Sequence, residues 1–259
     1  MIQLFGTRAT NALIKRELIR QTRQPSRIIA SIATPLLIWL FLVGGFSNSI
    51  GAVAESNANI GPYTIPGMAS LTVMFASIFA SISLIQDRHD GVLRAALVSP
   101  APRWSIAISK IAAGSILALL QALIVLLTLP FLGISVTPMG ILGAIAALAC
   151  ISVALIGLGL ALAWIVDSTQ GFHGVMNAIL MPMWLVSGAI FPVENAAGWL
   201  KAIALINPLT WTHSAMRSSL GMDTGLDPTL AWIISIAFAL FGIALATFAI
   251  ARSSQRKPN

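Results

Sequence analysis

Few side chains in this sequence are of a type and at a spacing that could perform chemistry. None of the four lysines follows a glycine, so the chain lacks the G-x-x-x-x-G-K-S/T loop that holds the phosphates of ATP. The three histidines lie far apart, at His89, His173 and His213, and Cys150 is the only cysteine. We therefore expect no metal, no bound cofactor and no disulfide within the chain.

One possible nucleophile is Ser187, which precedes Gly188 and in that respect resembles an intramembrane serine protease. A serine nucleophile needs a base beside it. We predict that His213 lies outside the helix bundle, where it could not act as that base. The sequence therefore favours a protein that is not an enzyme.

The composition points to a membrane protein. Of 259 residues, 57% are apolar and only 9% are charged, and the mean hydropathy is +0.90. An ordinary soluble domain has about 25% charged residues, so these charges are too few to cover a water-exposed surface. Soluble, disordered and fibrous classes are excluded, which leaves a polytopic membrane protein.

Six apolar stretches are long enough for helices that cross a hydrocarbon core of about 30 Å. They are continuously apolar, unlike the alternating strands of a barrel. The predicted fold class is therefore an all-α membrane protein with six transmembrane helices in a single domain, residues 1–259. The stretches are Ile28–Phe46, Ile65–Ile85, Ile111–Leu132, Met139–Val166, Val175–Phe191, which contains Pro182, and Leu230–Ile250.

The lysines and arginines are distributed unevenly between the two sides of the predicted bundle. Of fifteen, only Lys201 and Arg217 fall on the second side. The basic side, with both termini, is therefore predicted to be cytoplasmic, in a bacterial or archaeal plasma (inner) membrane. The net charge of +7 indicates contact with anionic membrane lipid, and no motif indicates a nucleic-acid partner. The span interiors contain no charged residue, which disfavours an ion-coupled secondary carrier.

Two segments outside the spans have helical patterns of their own. Residues 1–27 contain an amphipathic helix, ended by Pro25, which we expect at the membrane interface with its arginines towards the headgroups. The external segment 192–228 is mostly apolar and is broken at Asn207-Pro208, so we predict that it re-enters the outer leaflet as two short helices. The arginines on one face of the first helix are Arg16, Arg20, Arg23 and Arg27.

The cytoplasmic loop 86–110 is longer than a simple connector needs to be. Its apolar residues share one helical face, Asp90 would stabilise the start of that helix, and Pro100 would end it. A charged, patterned helix across the cytoplasmic mouth indicates a docking element, and an interfacial helix without a partner is the alternative. Lys110, which follows, is expected to snorkel towards the headgroups. The apolar face consists of Val92, Leu93, Ala96 and Leu97.

Taken together, these loops resemble those of ABC-2-type transporter permeases, the membrane subunits of ABC exporters. The first set of similar residues is Asp90-Gly91-Val92-Leu93, Leu97-Val98-Ser99-Pro100 and Lys110. The second set is Asn177, Pro182, Ser187 to Pro192, Trp199-Leu200, Asn207-Pro208-Leu209 and Arg217. The stretch Arg23 to Ser26 and the compact loops look closest to the drug- and daunorubicin-exporter type.

The resemblance implies a homodimer that forms the substrate pathway, with two separate cytoplasmic ATPase subunits that bind the ATP. Pairing with a second, different permease is the alternative. The substrate would be a small hydrophobic drug-like or lipid-like molecule, or else a lipid-linked glycan. A secondary carrier and a non-transporting scaffold are the rival classes.

Residues for two roles follow from these similarities. The predicted ATPase-coupling residues are Asp90, Gly91, Leu93, Arg94, Leu97 and Pro100. The candidate pathway residues are Trp39, Gln121, Asn177, Trp184 and Ser187. The polar members of the second group could instead only bond neighbouring helices.

Overall fold

The structure is a computed structural model that describes residues 2–53, 60–93, 98, 102–132, 136–166, 168–193 and 196–252. Throughout these ranges the chain forms helices, turns and connecting segments, and no strand. The helices are α1 (Ile2–Thr22), α2 (Pro25–Val53), α3 (Ile60–His89), α4 (Trp104–Leu126), α5 (Pro138–Ile165), α6 (Thr169–Val186), α7 (Gly198–Ile206), α8 (Pro208–Ser219) and α9 (Pro228–Arg252), with a 3₁₀ turn at Leu129–Leu132.

Side-chain caps and prolines determine where several helices begin. Thr137 accepts a hydrogen bond from a backbone N–H at the start of α5, as Ser168 does at α6 and Asn207 at α8, over 2.9 to 3.1 Å. Asp227 does the same at the start of α9 over 2.8 Å. These side chains satisfy N–H groups that have no partner within the helix. Proline is the first residue of α5, α8 and α9, where its missing N–H costs no hydrogen bond.

Helix α3 is the centre of the bundle. It packs against α2, α4, α5, α6 and α8, and 89% of its most apolar stretch is buried. Helix α2 is the opposite extreme, with 11% of its apolar stretch buried. Most of the α2 surface is therefore left for lipid or for another chain. Helix α1 lies along α4, and α8 packs against α5 and α9.

Two glycines allow α5 and α9 to approach closely. A Cβ atom at Gly157 would lie 2.4 Å from the backbone of Gly242, and a Cβ atom at Gly242 would lie 2.7 Å from the carbonyl oxygen of Ala154. No larger side chain fits at either position without moving a helix. Small residues thus bring the two backbones together, as is common between membrane helices.

Five helices in the described part of the chain are long and apolar enough to cross a membrane: Pro25–Val43, Tyr63–His89, Trp104–Leu132, Pro138–Ile165 and Pro228–Ala251. They correspond to five of the six predicted spans. The remaining one, Val175–Phe191, overlaps α6, which has 18 residues and is about 27 Å long. The first half of α6 is polar because it contains Gln170, His173 and Asn177. A sixth transmembrane helix therefore stays a prediction.

The segments outside these five helices agree in part with the sequence analysis. Helix α1 ends before Pro25, and 192–228 contains two short helices separated at Asn207-Pro208, as predicted. The interfacial position of α1 stays a prediction, but two of the four arginines expected to face the headgroups are paired within the protein. Arg16 and Arg20 turn towards a carboxylate of α3, because that carboxylate attracts them. Re-entry of 192–228 into the outer leaflet stays a prediction.

Replacing Gly157 by alanine tests the close contact of α5 and α9. The new Cβ atom would overlap the Gly242 backbone, and overpacking of this kind costs about 1–3 kcal/mol. We expect the apparent melting temperature of the purified protein in detergent to fall by about 2–12 °C. Gly174→Ala is the matched control, because nothing lies within 4 Å of a Cβ atom at Gly174. Equal melting temperatures for the two variants would contradict this packing.

Candidate functional site

Buried ion pairs hold the basic end of the bundle together. Lys110 of α4 places its Nζ 2.7 Å from Asp87 Oδ2, 3.2 Å from Glu17 Oε2 and 2.9 Å from the Ser83 hydroxyl. Lys110, Asp87 and Glu17 are 5%, 3% and 2% exposed. All three charges are therefore removed from water, and each depends on the others to offset the cost of its burial.

Two arginines of α1 extend these ion pairs. Arg20 Nη1 lies 2.5 Å from Asp87 Oδ1, and Arg16 Nη2 lies 3.2 Å from the same oxygen. Burial alone would raise the pKa of Glu17, but the charges of Lys110 and Arg20 outweigh burial, so its pKa is lowered. Glu17 therefore stays ionised at neutral pH. We call Arg16, Glu17, Arg20, Asp87 and Lys110 the basic-end network.

The basic-end network fixes three helices, and Arg88 adds a fourth. The members of the network come from α1, the last turn of α3 and the first two turns of α4, so these segments cannot separate without breaking buried ion pairs. Arg88 of α3 donates a hydrogen bond to the carbonyl oxygen of Trp164 over 2.9 Å and lies 5.1 Å from the centroid of its indole ring. This hydrogen bond and cation–π contact join the end of α5 to the same site.

The predicted docking segment, residues 90–100, begins directly after α3. That helix ends at His89, and Gly91 adopts a φ angle of 75°, the left-handed conformation typical of a residue that follows a helix. Asp90, between them, is exposed. Three predicted coupling residues lie outside the described residues: Arg94, Leu97 and Pro100.

Leu93, one of the predicted coupling residues, is buried within this chain. It is 4% exposed and lines a small cavity with Leu13, Glu17 and Lys110. Its side chain is thus directed into the interior of this chain, where apolar surface of α1 is available. Val98, in the same segment, is 86% exposed. In this conformation an apolar contact with another protein is open to Val98 rather than to Leu93.

The prediction that Lys110 snorkels to the headgroups is wrong, because two carboxylates meet it inside the bundle. Helices α3 and α4 also continue beyond the apolar runs from which they were predicted, so Asp87 and Lys110 lie within helices. Sequence reasoning missed Glu17 and Asp87 as partners of Lys110. One signal was available, since Glu17 is the only acidic residue before Glu55 and stands among the arginines of α1.

The five candidate pathway residues do not form a single site. Gln121 is buried, and its side-chain oxygen accepts a hydrogen bond from a serine hydroxyl of α2. Trp39 is half-buried on α2, and Asn177 is exposed on α6. Trp184 and Ser187 are buried at the opposite end of the bundle, where they belong to a second network.

That second network consists of neutral groups around a histidine. His213 of α8 is fully buried, with Nδ1 2.9 Å from the Ser187 hydroxyl and Nε2 2.6 Å from the Ser70 hydroxyl. Ser187 donates its proton to the carbonyl oxygen of Trp184 over 2.6 Å. Ser70 is placed in the same way, with its hydroxyl 2.7 Å from the carbonyl oxygen of Gly67, so each serine hydroxyl has a carbonyl oxygen and a ring nitrogen within hydrogen-bond distance. We call Ser70, Trp184, Ser187 and His213 the histidine network.

The prediction that His213 lies outside the bundle is wrong, because hydroxyls of Ser70 and Ser187 satisfy both ring nitrogens in its interior. Burial, and to a smaller extent the charge of Arg217, lowers the pKa of His213 to about 3. Among the described residues no group of histidine, cysteine and acidic side chains is arranged to hold a metal ion.

Arg217 fastens the turn after α6 to α3 and α8. Its guanidinium donates hydrogen bonds to the carbonyl oxygens of Ala189 over 3.0 Å and Tyr63 over 3.3 Å, and it lies 3.8 Å from the centroid of the Tyr63 ring. The Tyr63 hydroxyl donates to the carbonyl oxygen of Gly188 over 3.2 Å. Most of the second set of residues in the sequence resemblance therefore gathers at this end of the bundle.

Comparison with known proteins gives a consistent result. The model of the ABC-2 type transporter family matches residues 8–220. The "Putative transport permease ycf38" of Cyanophora paradoxa is 30% identical over 210 residues, which cover 79% of this chain and 71% of that protein. The "Probable multidrug ABC transporter permease YbhR" of Escherichia coli (strain K12) is 31% identical over 171 residues, 64% of this chain and 45% of that protein. The "Daunorubicin resistance ABC transporter permease protein DrrB1" of Streptomyces coeruleorubidus is 25% identical over 236 residues, 87% of this chain and 77% of that protein.

The substitution Lys110→Met would remove the ammonium group that pairs with Glu17 and Asp87, while both carboxylates stay buried. Removing one partner of a buried ion pair costs about 3–5 kcal/mol, so the melting temperature in detergent should fall by roughly 6–20 °C. Adding Glu17→Gln should restore part of the loss, because it removes the carboxylate that lost its partner. Lys201→Met, at an exposed lysine of α7, is the control. If Lys110→Met melts at the same temperature as Lys201→Met, the ion pairs do not stabilise the fold.

Burial of His213 predicts a pH dependence of stability. The pKa is about 3 in the folded protein and about 6.5 in the unfolded chain, so the unfolded chain binds the proton first as the pH falls. The stability from this residue is complete above about pH 6.5 and is lost towards pH 3. Between pH 7 and pH 5 we expect the free energy of unfolding to drop by about 2 kcal/mol. The variant His213→Gln should lack this drop, and an equal drop in both proteins would contradict a neutral buried ring.

Proposed function

The chain belongs to the family of ABC-2 type transporters, and we propose that it works as the membrane permease subunit of an ATP-driven exporter. Separate cytoplasmic ATPase subunits would bind and hydrolyse the ATP, since the sequence has no P-loop of its own. Their movement would reach the substrate pathway through the segment 86–110. The relatives support this proposal, because two of them have "ABC transporter permease" in their names and one of these adds "daunorubicin resistance".

The basic-end network is the observation that carries the proposal. Asp87 lies just before the exposed part of the docking segment and Lys110 lies just after it, and the two are joined by a buried ion pair. Both ends of the segment are therefore fastened to the bundle and to α1. A force on the segment would move α1, α3 and α4 together instead of being absorbed by a loose loop.

We propose a pathway formed between two copies of the chain. Helices α2 and α6 support this arrangement because each leaves most of its surface uncovered within one copy. Helix α6 buries a single row of residues four apart, and α2 buries little. Trp39 and Asn177 would lie on the surfaces that meet the second copy, and a heterodimer with a different permease is the alternative. The buried row of α6 is Phe172, Met176, Leu180 and Trp184.

The proposed substrate is a small hydrophobic drug-like or lipid-like molecule. Aromatic residues make up 7% of the chain and Tyr63 is the only tyrosine, so stacking surfaces for a sugar chain are scarce. Export of a lipid-linked glycan by the same machinery is the alternative substrate class.

An ion-coupled secondary carrier is a second candidate function, because the structure brings Glu17 and Asp87 into the protein interior. Buried carboxylates are the groups that such carriers titrate. Against this candidate, the pKa of Glu17 is lowered by its cationic partners, which hinders protonation near neutral pH. Export driven by a proton gradient without any ATPase would support the carrier.

Co-purification tests the exporter proposal. The tagged chain, expressed with its native operon and extracted in mild detergent, should retain a P-loop ATPase in stoichiometric amount. Val98→Asp should reduce the amount of ATPase that is recovered at least about tenfold, because a charged side chain within an apolar contact weakens binding. Val98→Thr, which keeps the side-chain shape without a charge, should retain it.

The result also separates the alternatives. A clean wild-type preparation without an ATPase would contradict the docking assignment and favour the carrier or a scaffold. If the ATPase binds Val98→Asp as tightly as wild type, the docking site lies elsewhere on the chain.

A further inference from the structure

A small cleft lies between α1, α2, α3 and α4 near the basic end of the bundle. None of its described lining residues is acidic. The argument rests on polar lining residues, Gln24, Arg27 and Gln121, and on apolar ones, Ile28, Phe79 and Leu117.

We propose that this cleft binds the phosphate-bearing headgroup of an anionic lipid of the cytoplasmic leaflet. Arg27 supplies the charge. Its guanidinium lies 5.9 Å from the centroid of the Phe79 ring, a cation–π contact that holds it at the cleft. No ion pair or side-chain hydrogen bond joins it to another residue in the described ranges, whereas Arg16 and Arg20 are paired with Asp87.

Two amides stand beside Arg27. The Ser31 hydroxyl donates to Gln121 Oε1, which fixes the orientation of that amide and leaves its NH₂ group for another acceptor. The side chain of Gln24 makes no hydrogen bond within the described part of the chain and lines the same cleft. A guanidinium with neighbouring amide donors matches phosphate oxygens, which are acceptors and prefer the planar fork of arginine.

The surroundings favour a lipid over a free phosphate. The cleft lining also contains apolar side chains, and a row of exposed apolar residues continues along α4 from the level of the cleft. These residues are four apart and therefore share one helix face, where acyl chains could lie. The row is Ile116, Leu120 and Ile124, which are 44%, 56% and 49% exposed.

Lipid binding by the purified full-length chain tests the proposal without an ATPase or ATP, so its outcome is independent of the exporter proposal. The chain in detergent is titrated with phosphatidylglycerol or phosphatidylcholine, and bound lipids are counted by native mass spectrometry. We expect wild type to prefer phosphatidylglycerol. Arg27→Gln should weaken this preference about fivefold, and Gln24→Glu should weaken it by charge repulsion. Arg23→Gln, at an exposed arginine outside the cleft lining, should leave it unchanged.

Three results would overturn the proposal. Equal effects of Arg23→Gln and Arg27→Gln would mean diffuse attraction to a basic surface. Displacement of phosphatidylglycerol by glycerol phosphate at similar concentration would mean a site for a soluble anion. If wild type shows no preference for the anionic lipid, the cleft does not distinguish an anionic headgroup from a zwitterionic one. Melting temperatures of Arg27→Gln and Gln24→Glu close to that of wild type establish that the variants are folded.

Discussion

Burial of two carboxylates at the basic end is the constraint on which the rest of the structure depends. Glu17 and Asp87 come from helices far apart in the sequence, and both are nearly shielded from water. An unpaired buried charge costs several kcal/mol, so both carboxylates have to meet Lys110 and the arginines of α1. That requirement places α1 along α4 and carries α3 and α4 beyond their apolar stretches. It also determines where the docking segment leaves and rejoins the bundle.

The two ends of the bundle are held by different kinds of interaction. Charges dominate at the basic end, where a shift of α1 would break several ion pairs together. At the opposite end, neutral hydrogen bonds around His213 and the contacts of Arg217 fasten α8 and the turn after α6 onto α3. Between them, close glycine contacts join α5 and α9. Helices α2 and α6 leave most of their surfaces uncovered, and we propose that these surfaces form the walls of the substrate pathway.

Local signals in the sequence predicted the local structure well. Pro25 marks the end of the first helix and Asn207-Pro208 divides the outer segment, because breakers and caps act within a few residues. Five apolar runs form helices long enough to cross a membrane, because an apolar run is also a local signal. The sites were harder to predict, because their pairings are distant in sequence. Lys110 and Glu17 are 93 positions apart, and His213 and Ser70 are 143 apart. We expected Lys110 and His213 to face outwards because both side chains are polar. Both lie in the interior instead, where polar partners surround them.

Amide hydrogen exchange of α1 tests most directly whether the basic-end network holds the docking segment and α1 to the bundle. The measurement compares wild type with Lys110→Met in the same detergent, and α9, which contains no member of the network, serves as the internal reference. The account predicts that the α1 amides around Glu17 exchange at least about tenfold faster in Lys110→Met, corresponding to about 1.4 kcal/mol of lost protection, while those of α9 are unchanged. Equal exchange of α1 in the two proteins would contradict the account, because α1 would then be held in place without the ion pairs.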